Sequence, residues 1–314
     1  MLDESTYDIV LQNTTVEFDI SSGAVKAVDN VTATFYGGQI TGLIGESGCG
    51  KSVLAHAILG MLPSYAKLEG NILYGDKNIA SASTKEMRSL RGKEIGLIPQ
   101  NPGDSLNPVR RIEAQLDEAL LVADENPKRR KNKAESLLRS FGFDNVKRIF
   151  SSYPFELSGG MQQRVICTIG VACSPRWVLA DEPTKGLDID LRKQVYDTLE
   201  MIKNKSVQGM IVITHDLVLA EKLCQCIAVM YSGEIVEMGK DVLKTPLHPY
   251  TKGFLASLPE NGMHPMKGIS PKPGDKSFGC KFAPRCSYCT ERCINEKPEQ
   301  YEYEGRIVRC FLYA

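Results

Sequence analysis

The chain has 314 residues, 38 Lys and Arg against 38 Asp and Glu, and therefore a formal net charge of zero. Hydrophobic residues make up 42% and charged residues 24%, the balance of a chain that folds round a core, and the length suits one large domain plus an appendage. There is no basic surplus to attract nucleic acid, and no apolar run approaches the ~18 residues of a membrane span.

The start, Met1-Leu2-Asp3-Glu4, is acidic and lacks the apolar core of a signal peptide, so a cytosolic protein is expected. If it works at a membrane, separate subunits must supply the spans. Residues 7–40 alternate apolar and polar side chains (Ile9, Leu11, Val16, Phe18, Ile20, Val28, Val31), predicting short antiparallel strands. The apolar run Ile40–Ile44 then predicts a buried strand, and Val53–Leu59 a helix. Between them lies Gly45-Glu46-Ser47-Gly48-Cys49-Gly50-Lys51-Ser52, which fits the phosphate-loop pattern G-x-x-x-x-G-K-[ST] without a mismatch. Strand, glycine-rich loop and helix start in this order gather backbone amides round an anion. Lys51 can reach the outer phosphates of a nucleoside triphosphate, and the Ser52 hydroxyl can ligate Mg2+.

Strands are predicted at Asn71–Tyr74 and Ile95–Ile98, the latter ending at Gln100 before a loop punctuated by Pro102 and Pro108. Residues 111–165 turn helical. One helix starts at Asn126-Pro127, carries Ala134, Leu137, Leu138 and Phe141 as its apolar stripe and ends at Gly142. Its run Lys128-Arg129-Arg130-Lys131 reads as a solvated face. At Leu157-Ser158-Gly159-Gly160-Met161-Gln162-Gln163-Arg164, Ser158 and two glycines open another helix, either as a simple N-cap or as a second anion site.

From residue 175 the pattern is strand–helix–strand: Trp177–Ala180, a helix over Leu191–Lys203, Met210–Thr214 and Cys226–Tyr231. This predicts an α/β fold with a mainly parallel sheet covered by helices. Such sheets place ligands beyond the carboxyl ends of their strands. There stand Gly45, Asp181, Glu182 and His215. Asp181 can hold Mg2+, usually through water, and Glu182 can polarise an attacking water.

Ten cysteines are present, and Cys280, Cys286, Cys289, Cys293 and Cys310 crowd the tail. In a reducing compartment such a group points to metal rather than to disulfides. The spacing C-x5-C-x6-C-x16-C over Cys280, Cys286, Cys293 and Cys310 lacks the paired C-x2-C knuckles common in zinc folds; four thiolates suit tetrahedral zinc or an iron–sulfur cluster, with Cys289 a rival ligand.

The phosphate loop, Gln100, Leu157–Gln163, Asp181-Glu182, Gly186-Leu187-Asp188 and His215 together resemble the nucleotide-binding subunit of ATP-binding-cassette transporters, over about 170 residues and in that family's order. His248-Pro249-Tyr250-Thr251 and the terminal cysteines resemble its oligopeptide/dipeptide/nickel importer branch, some of whose dipeptide-type ATPases carry a [4Fe–4S] cluster. The resemblance implies a phosphate-loop core with a small antiparallel subdomain, an inserted helical subdomain (about 101–170) and a Cys-rich extension. Its domains would be 1–245 and 246–314. It implies ATP and Mg2+ as ligands, with Lys51, Ser52, Asp181 and Gln100 at phosphate and metal. Glu182 would activate water, and His215 would stabilise the γ-phosphate region. Ser158, Gly159 and Gly160 would act on ATP held by a partner, and Asp188 would link the two sites. The implied partners are a second ATPase subunit (a heterodimer is expected), two transmembrane permeases and an extracellular solute-binding protein, with the chain peripheral on the cytoplasmic face. Peptides are the expected cargo; nickel chelates and oligosaccharides are alternatives, and a soluble ATPase outside transport is the rival class. The aromatic residue that usually stacks on adenine is missing at Ser21–Val25, so Val25 or Val28 is expected to replace it.

Overall fold

The alternating N-terminal pattern forms two long strands rather than several short ones. The structure is a computed structural model and describes residues 7–20, 23–123, 126–187, 189–205, 207–258, 262–271 and 278–314. Two compact units are present: Met1–Ser81 with Ala220–Ala314, and Ala82–Leu219. The predicted domain boundary at residue 245 lies inside the first of them.

In the first unit, β1 (Ile9–Ile20) and β2 (Gly23–Phe35) pair antiparallel from Ile9 opposite Phe35 to Ile20 opposite Gly23. Register shifts between Leu11 and Glu17 keep strands of this length in one sheet, because each bulge adds local twist. Beyond β3 (Ile40–Ile44) and α1 (Lys51–Ile58), β4 (Ala66–Tyr74) and the short β5 (Lys77–Asn78) complete a sheet ordered β2-β1-β4-β5.

β3 is buried along its whole length and pairs parallel with β9 (Cys226–Tyr231); β9 pairs antiparallel with β10 (Glu234–Gly239). The tail continues this sheet. β11 (Tyr301–Tyr303) and β12 (Arg306–Val308) form a hairpin about Glu304-Gly305, both with positive φ, and β12 pairs with β10. Residues 301–308 are thus held by main-chain hydrogen bonds to the layer that carries the phosphate loop.

The second unit is helix-rich: α2 (Thr84–Leu90), β6 (Ile95–Ile98), α3 (Pro102–Ser105), α4 (Ile112–Leu121), α5 (Pro127–Ser140), α6 (Val146–Ser151) and α7 (Gly159–Gly170), then β7 (Trp177–Asp181), α8 (Ile189–Lys205) and β8 (Gly209–Ile213). The chain passes back to the first unit within α9 (Leu217–Leu223). β6, β7 and β8 are parallel, and every residue of β7 and β8 is buried. Strands covered on both faces carry continuous apolar runs, which is why these segments show no alternation.

Local chemistry sets the helix ends. Ser83 and Glu86 form a reciprocal capping box on α2. Asn126 caps α5, with Pro127 in the first turn, and Gly142 follows the helix at φ 77°. The basic run on α5 does not lie wholly on the solvated face. Arg130 is buried, its Nε 2.6 Å from Asp117 Oδ1 on α4, while Lys131 pairs with Glu113. A guanidinium can be buried there because the carboxylate meets it with two bonds.

α10 (Pro249–Ala256) opens on His248, whose Nδ1 accepts from the Tyr250 amide at 3.0 Å. The fully buried Glu237 of β10 accepts from the Leu247 and His248 amides at 2.9 Å each. Burial excludes the imidazolium and holds the His248 pKa down at about 3. An unfolded histidine takes a proton below about pH 6.5, so between pH 3 and 6.5 the unfolded state binds more protons than the folded one and stability rises with pH. We expect His248→Asn, which can still cap α10, to remove this dependence. Urea midpoints at pH 4 and pH 7 should lie closer together in the variant than in the parent chain.

Candidate functional site

β3 delivers the chain to Gly45, and the phosphate loop returns it into α1. Gly45 has φ 149°, and a Cβ there would stand 2.1 Å from the Met230 carbonyl of β9, so only glycine lets the loop leave the sheet at this point. The buried Lys51 directs Nζ at two loop carbonyls, Gly45 and Glu46, both at 2.9 Å, and lies 3.7 Å from Cys49 Sγ. An ammonium so placed can exchange these carbonyls for phosphate oxygens without leaving the loop. Cys49 is buried, and burial raises its thiol pKa. Gly50 caps α1 with no side-chain bond, leaving the cap position to main-chain groups.

Glu46 is held on three sides. Its amide donates to Tyr250 Oη at 3.1 Å, its carbonyl accepts from Lys51, and its carboxylate lies 3.1 and 3.2 Å from Arg285 Nη1. Neither Tyr250 nor Arg285 is signalled as a loop partner by the sequence, because each lies more than 200 residues from Glu46.

In the second unit, the ends of β7 and β8 bring together two of the predicted residues. Asp181 stands opposite Ile213 in the parallel register, and the Glu182 amide donates to the Ile213 carbonyl at 2.8 Å. Glu182 and His215 then meet directly, Oε2 to Nδ1 2.6 Å, although 33 residues separate them. Asp181 is buried, as is expected of a residue at the end of such a strand. Glu182 has φ 48°, a left-handed conformation that is strained for a side chain of this size.

Gln100, Gly159, Gln162, Gly186 and Leu187 line one open groove of about 570 Å³. Ser158 occupies the N-cap position of α7 but makes no side-chain cap bond, and it is exposed. The simple N-cap is therefore not what this hydroxyl does. Gly159 faces open space. Gly160 is buried, and a Cβ there would stand 2.4 Å from Leu191 Cδ2 of α8, so its lack of a side chain serves helix packing. Asp188 lies outside the described residues.

The adenine expectation needs correction at Val28, which is fully buried and has no surface to offer a base. Val25 is half-buried opposite Phe18, and Ser21 and Ser22 lie outside the described residues.

In the tail, Cys280, Cys286, Cys293 and Cys310 line one cavity of about 190 Å³, together with His248, Phe282, Phe311 and Leu312 among others. The Cys280 amide donates to the Cys293 carbonyl at 2.8 Å, tying the two ends of this segment together. Burial pushes the Cys280 thiol up to about 11 and raises Cys286 and Cys310 as well. Cys289 is exposed, with its Sγ 3.6 Å from the Thr290 carbonyl, and it does not line the cavity. Among the described residues, no group of three or more His, Cys, Asp or Glu is arranged to hold a metal ion.

Residues 28–185 match the family described as ABC transporter. The chain belongs to that family. Residues 236–293 match a second family, the oligopeptide/dipeptide transporter C-terminal region. The chain is similar to the dipeptide transport ATP-binding protein DppD of Bacillus subtilis, at 38% identity over 96% of this chain and 93% of that one. It is also similar to DppD of Escherichia coli (36%, 94% and 93%) and to the oligopeptide transport ATP-binding protein AppD of Bacillus subtilis (36%, 92% and 92%). Its fold is that of the ATP-binding cassette MJ0796, whose dimer was solved bound to ADP and Pi (TM-score 0.65, 23% identity, 74% of this chain and 98% of that one). It is also that of cbiO1 from Clostridium perfringens (TM-score 0.64, 22% identity, 76% and 90%). An ABC ATPase fold with a phosphate-loop core, as expected from the sequence, is thus established.

The ABC phosphate loop leaves no room for a methyl group at Gly45. We expect Gly45→Ala to cost at least about 2 kcal/mol of stability, through a backbone clash in a strained conformation, read as a lowered urea midpoint.

Proposed function

We propose that this chain is the ATP-hydrolysing subunit of an importer for di- and oligopeptides, bound to the cytoplasmic face of the membrane through separate permease subunits. No helix among the described residues is long and apolar enough to cross a membrane; in this reading separate subunits supply the spans. The reading rests first on a single observation: a phosphate loop with its lysine on the loop carbonyls, in a chain that shares most of its length with peptide-transport ATPases.

Lys51 and the Gly45–Ser52 amides would bind the phosphates, and Ser52, Gln100 and Asp181 would hold Mg2+, which neutralises charge on the transferred group. Glu182 would orient water for in-line attack, and His215 would serve the γ-phosphate side. Their 2.6 Å contact supports this pairing of roles, because a carboxylate held by an imidazole keeps one orientation. Ser158, Gly159 and Gly160, with the linking Asp188, would complete a site on the partner cassette in a head-to-tail pair. The uncapped Ser158 hydroxyl supports that assignment, since nothing within α7 uses it. The partner is a second, different ATPase subunit, and an extracellular solute-binding protein delivers the peptide.

The donor set of the tail fits a [4Fe–4S] cluster held by Cys280, Cys286, Cys293 and Cys310. Four thiols line one mainly apolar cavity, which supports their serving one shared group. Cys280, Cys286, Cys293 and Cys310 would each supply one thiolate to such a cluster. When bound, it would cross-link a segment with little apolar core of its own. The residues 246–314 would then be a metal-clipped extension of an ATPase domain over 1–245.

Glu182→Gln keeps the size and the hydrogen-bonding reach of the side chain but removes the base. We expect ATP turnover to fall by about 10²–10⁴-fold with ATP binding retained, measured by phosphate release and equilibrium binding; unchanged turnover would end the assignment. For the tail, analysis of anaerobically purified protein should find iron and acid-labile sulfide in about equal amounts. Stoichiometric zinc without sulfide would refute the cluster.

A further inference from the structure

The segment between the first two cavity cysteines faces two ways. Cys280 and Cys286 point into the cavity, whereas Lys281 and Arg285, one residue inside each, reach the phosphate loop and its support. Arg285 Nη1 lies 3.1 and 3.2 Å from the Glu46 carboxylate and 3.5 Å from Tyr231 Oη, and its guanidinium stands over the Tyr231 and Phe282 rings at 5.8 and 5.9 Å. The Arg285 side chain is only 7% exposed and that of Glu46 26%, so the pair is shielded and its charges act at close range.

At the other end, Lys281 Nζ lies 2.8 Å from Asp29 Oδ2 and 2.8 Å from the Ser232 carbonyl. Ser232 and Gly233 form the turn between β9 and β10, and the Gly233 amide donates to the Cys49 carbonyl at 2.9 Å. Phe282, between the two cations, packs against Tyr231, Tyr250 and His248. Tyr250 is also the acceptor for the Glu46 amide. One short segment therefore grips the phosphate loop at Glu46 directly and at Cys49 through a single turn.

We infer that the Cys280–Cys286 segment is a positioning element for the phosphate loop, and that Arg285, through Glu46, makes nucleotide affinity depend on the state of the cysteine cavity. Lys51 must give up the Glu46 carbonyl to reach a phosphate, and the Glu46 carboxylate, anchored by Arg285, keeps the loop open in shape while that exchange occurs. A segment whose two ends are fixed by filling of the cavity holds Arg285 at a fixed distance from Glu46. A segment with free ends does not. The inference rests on the nucleotide and cysteine assignments proposed above.

The test uses the full-length chain, purified anaerobically, and a non-hydrolysable ATP analogue with Mg2+. Dissociation constants are measured for each variant alongside its iron, sulfide and zinc content. Arg285→Ala should weaken binding by about ten-fold, the scale of one shielded charge-assisted bond, with ATP KM raised more than kcat is lowered. Arg285→Lys should recover most of the affinity. Glu46→Gln leaves the tail sequence intact; it should weaken binding to a similar degree with the metal content unchanged, and the double variant should be no worse than the weaker single one. Cys286→Ser should lower the metal content and weaken binding in the parent chain, but not further in Arg285→Ala.

Parent-like affinity in both Arg285→Ala and Glu46→Gln would overturn the inference, as would additive losses. An Arg285 effect with no response to Cys286→Ser would overturn the dependence on the cavity. Lys51→Ala separates the two levels. If it retains nucleotide, the site assignment falls and the inference with it; if it loses nucleotide while Arg285→Ala and Glu46→Gln do not, the inference alone falls.

Discussion

Fully buried strands govern where this protein can place its chemistry. β3, β7 and β8 have no exposed residue, so a charged side chain along any of them would lack both water and a partner. Charged residues appear only where a strand ends. At those ends stand Gly45 and the phosphate loop in one unit, and Asp181, Glu182 and His215 in the other. The parallel register of β7 and β8 sets the ends of both strands side by side, and this alone brings Glu182 and His215 into contact.

The tail follows a different rule. Its described segment 278–314 contains two short helical turns, one five-residue helix and a two-stranded hairpin, none able to stand alone. It is held by borrowing. The hairpin takes hydrogen bonds from β10, Phe282 enters the aromatic group of Tyr231 and Tyr250, and Lys281 and Lys297 both reach Asp29 and Glu234. Burial alone would raise the Asp29 pKa, but the two ammonium groups outweigh it and hold the carboxyl well below its usual range. A cysteine-bound cofactor would add a covalent tie to a region otherwise joined to the ATPase core by hydrogen bonds, ion pairs and the packing of Phe282.

Much of this was legible in the chain itself. The phosphate loop, the strands feeding Asp181 and His215, and the cap at Asn126 all follow from local pattern, because buried strands, glycine turns and helix starts depend on neighbours in sequence. Failures came where partners are distant. Arg130 lies in a run of four basic residues and looked solvated, yet Asp117 on another helix draws it inward. Val28 suited an adenine contact by position, but pairing of β1 with β2 buries it.

The sequence by itself determined the class of chemistry: a phosphate loop of an ATP-binding cassette, two adjacent carboxylates at a strand end, and a tail rich in thiols. These are runs of adjacent residues whose spacing is the information. Only the tertiary structure decided which groups meet: Glu182 with His215, four of the five terminal cysteines round one cavity with Cys289 left outside, and Arg285 on Glu46. Such pairings depend on strand register and on the route of the chain between elements, and residues separated by 33 or 239 positions carry no local sign of their meeting.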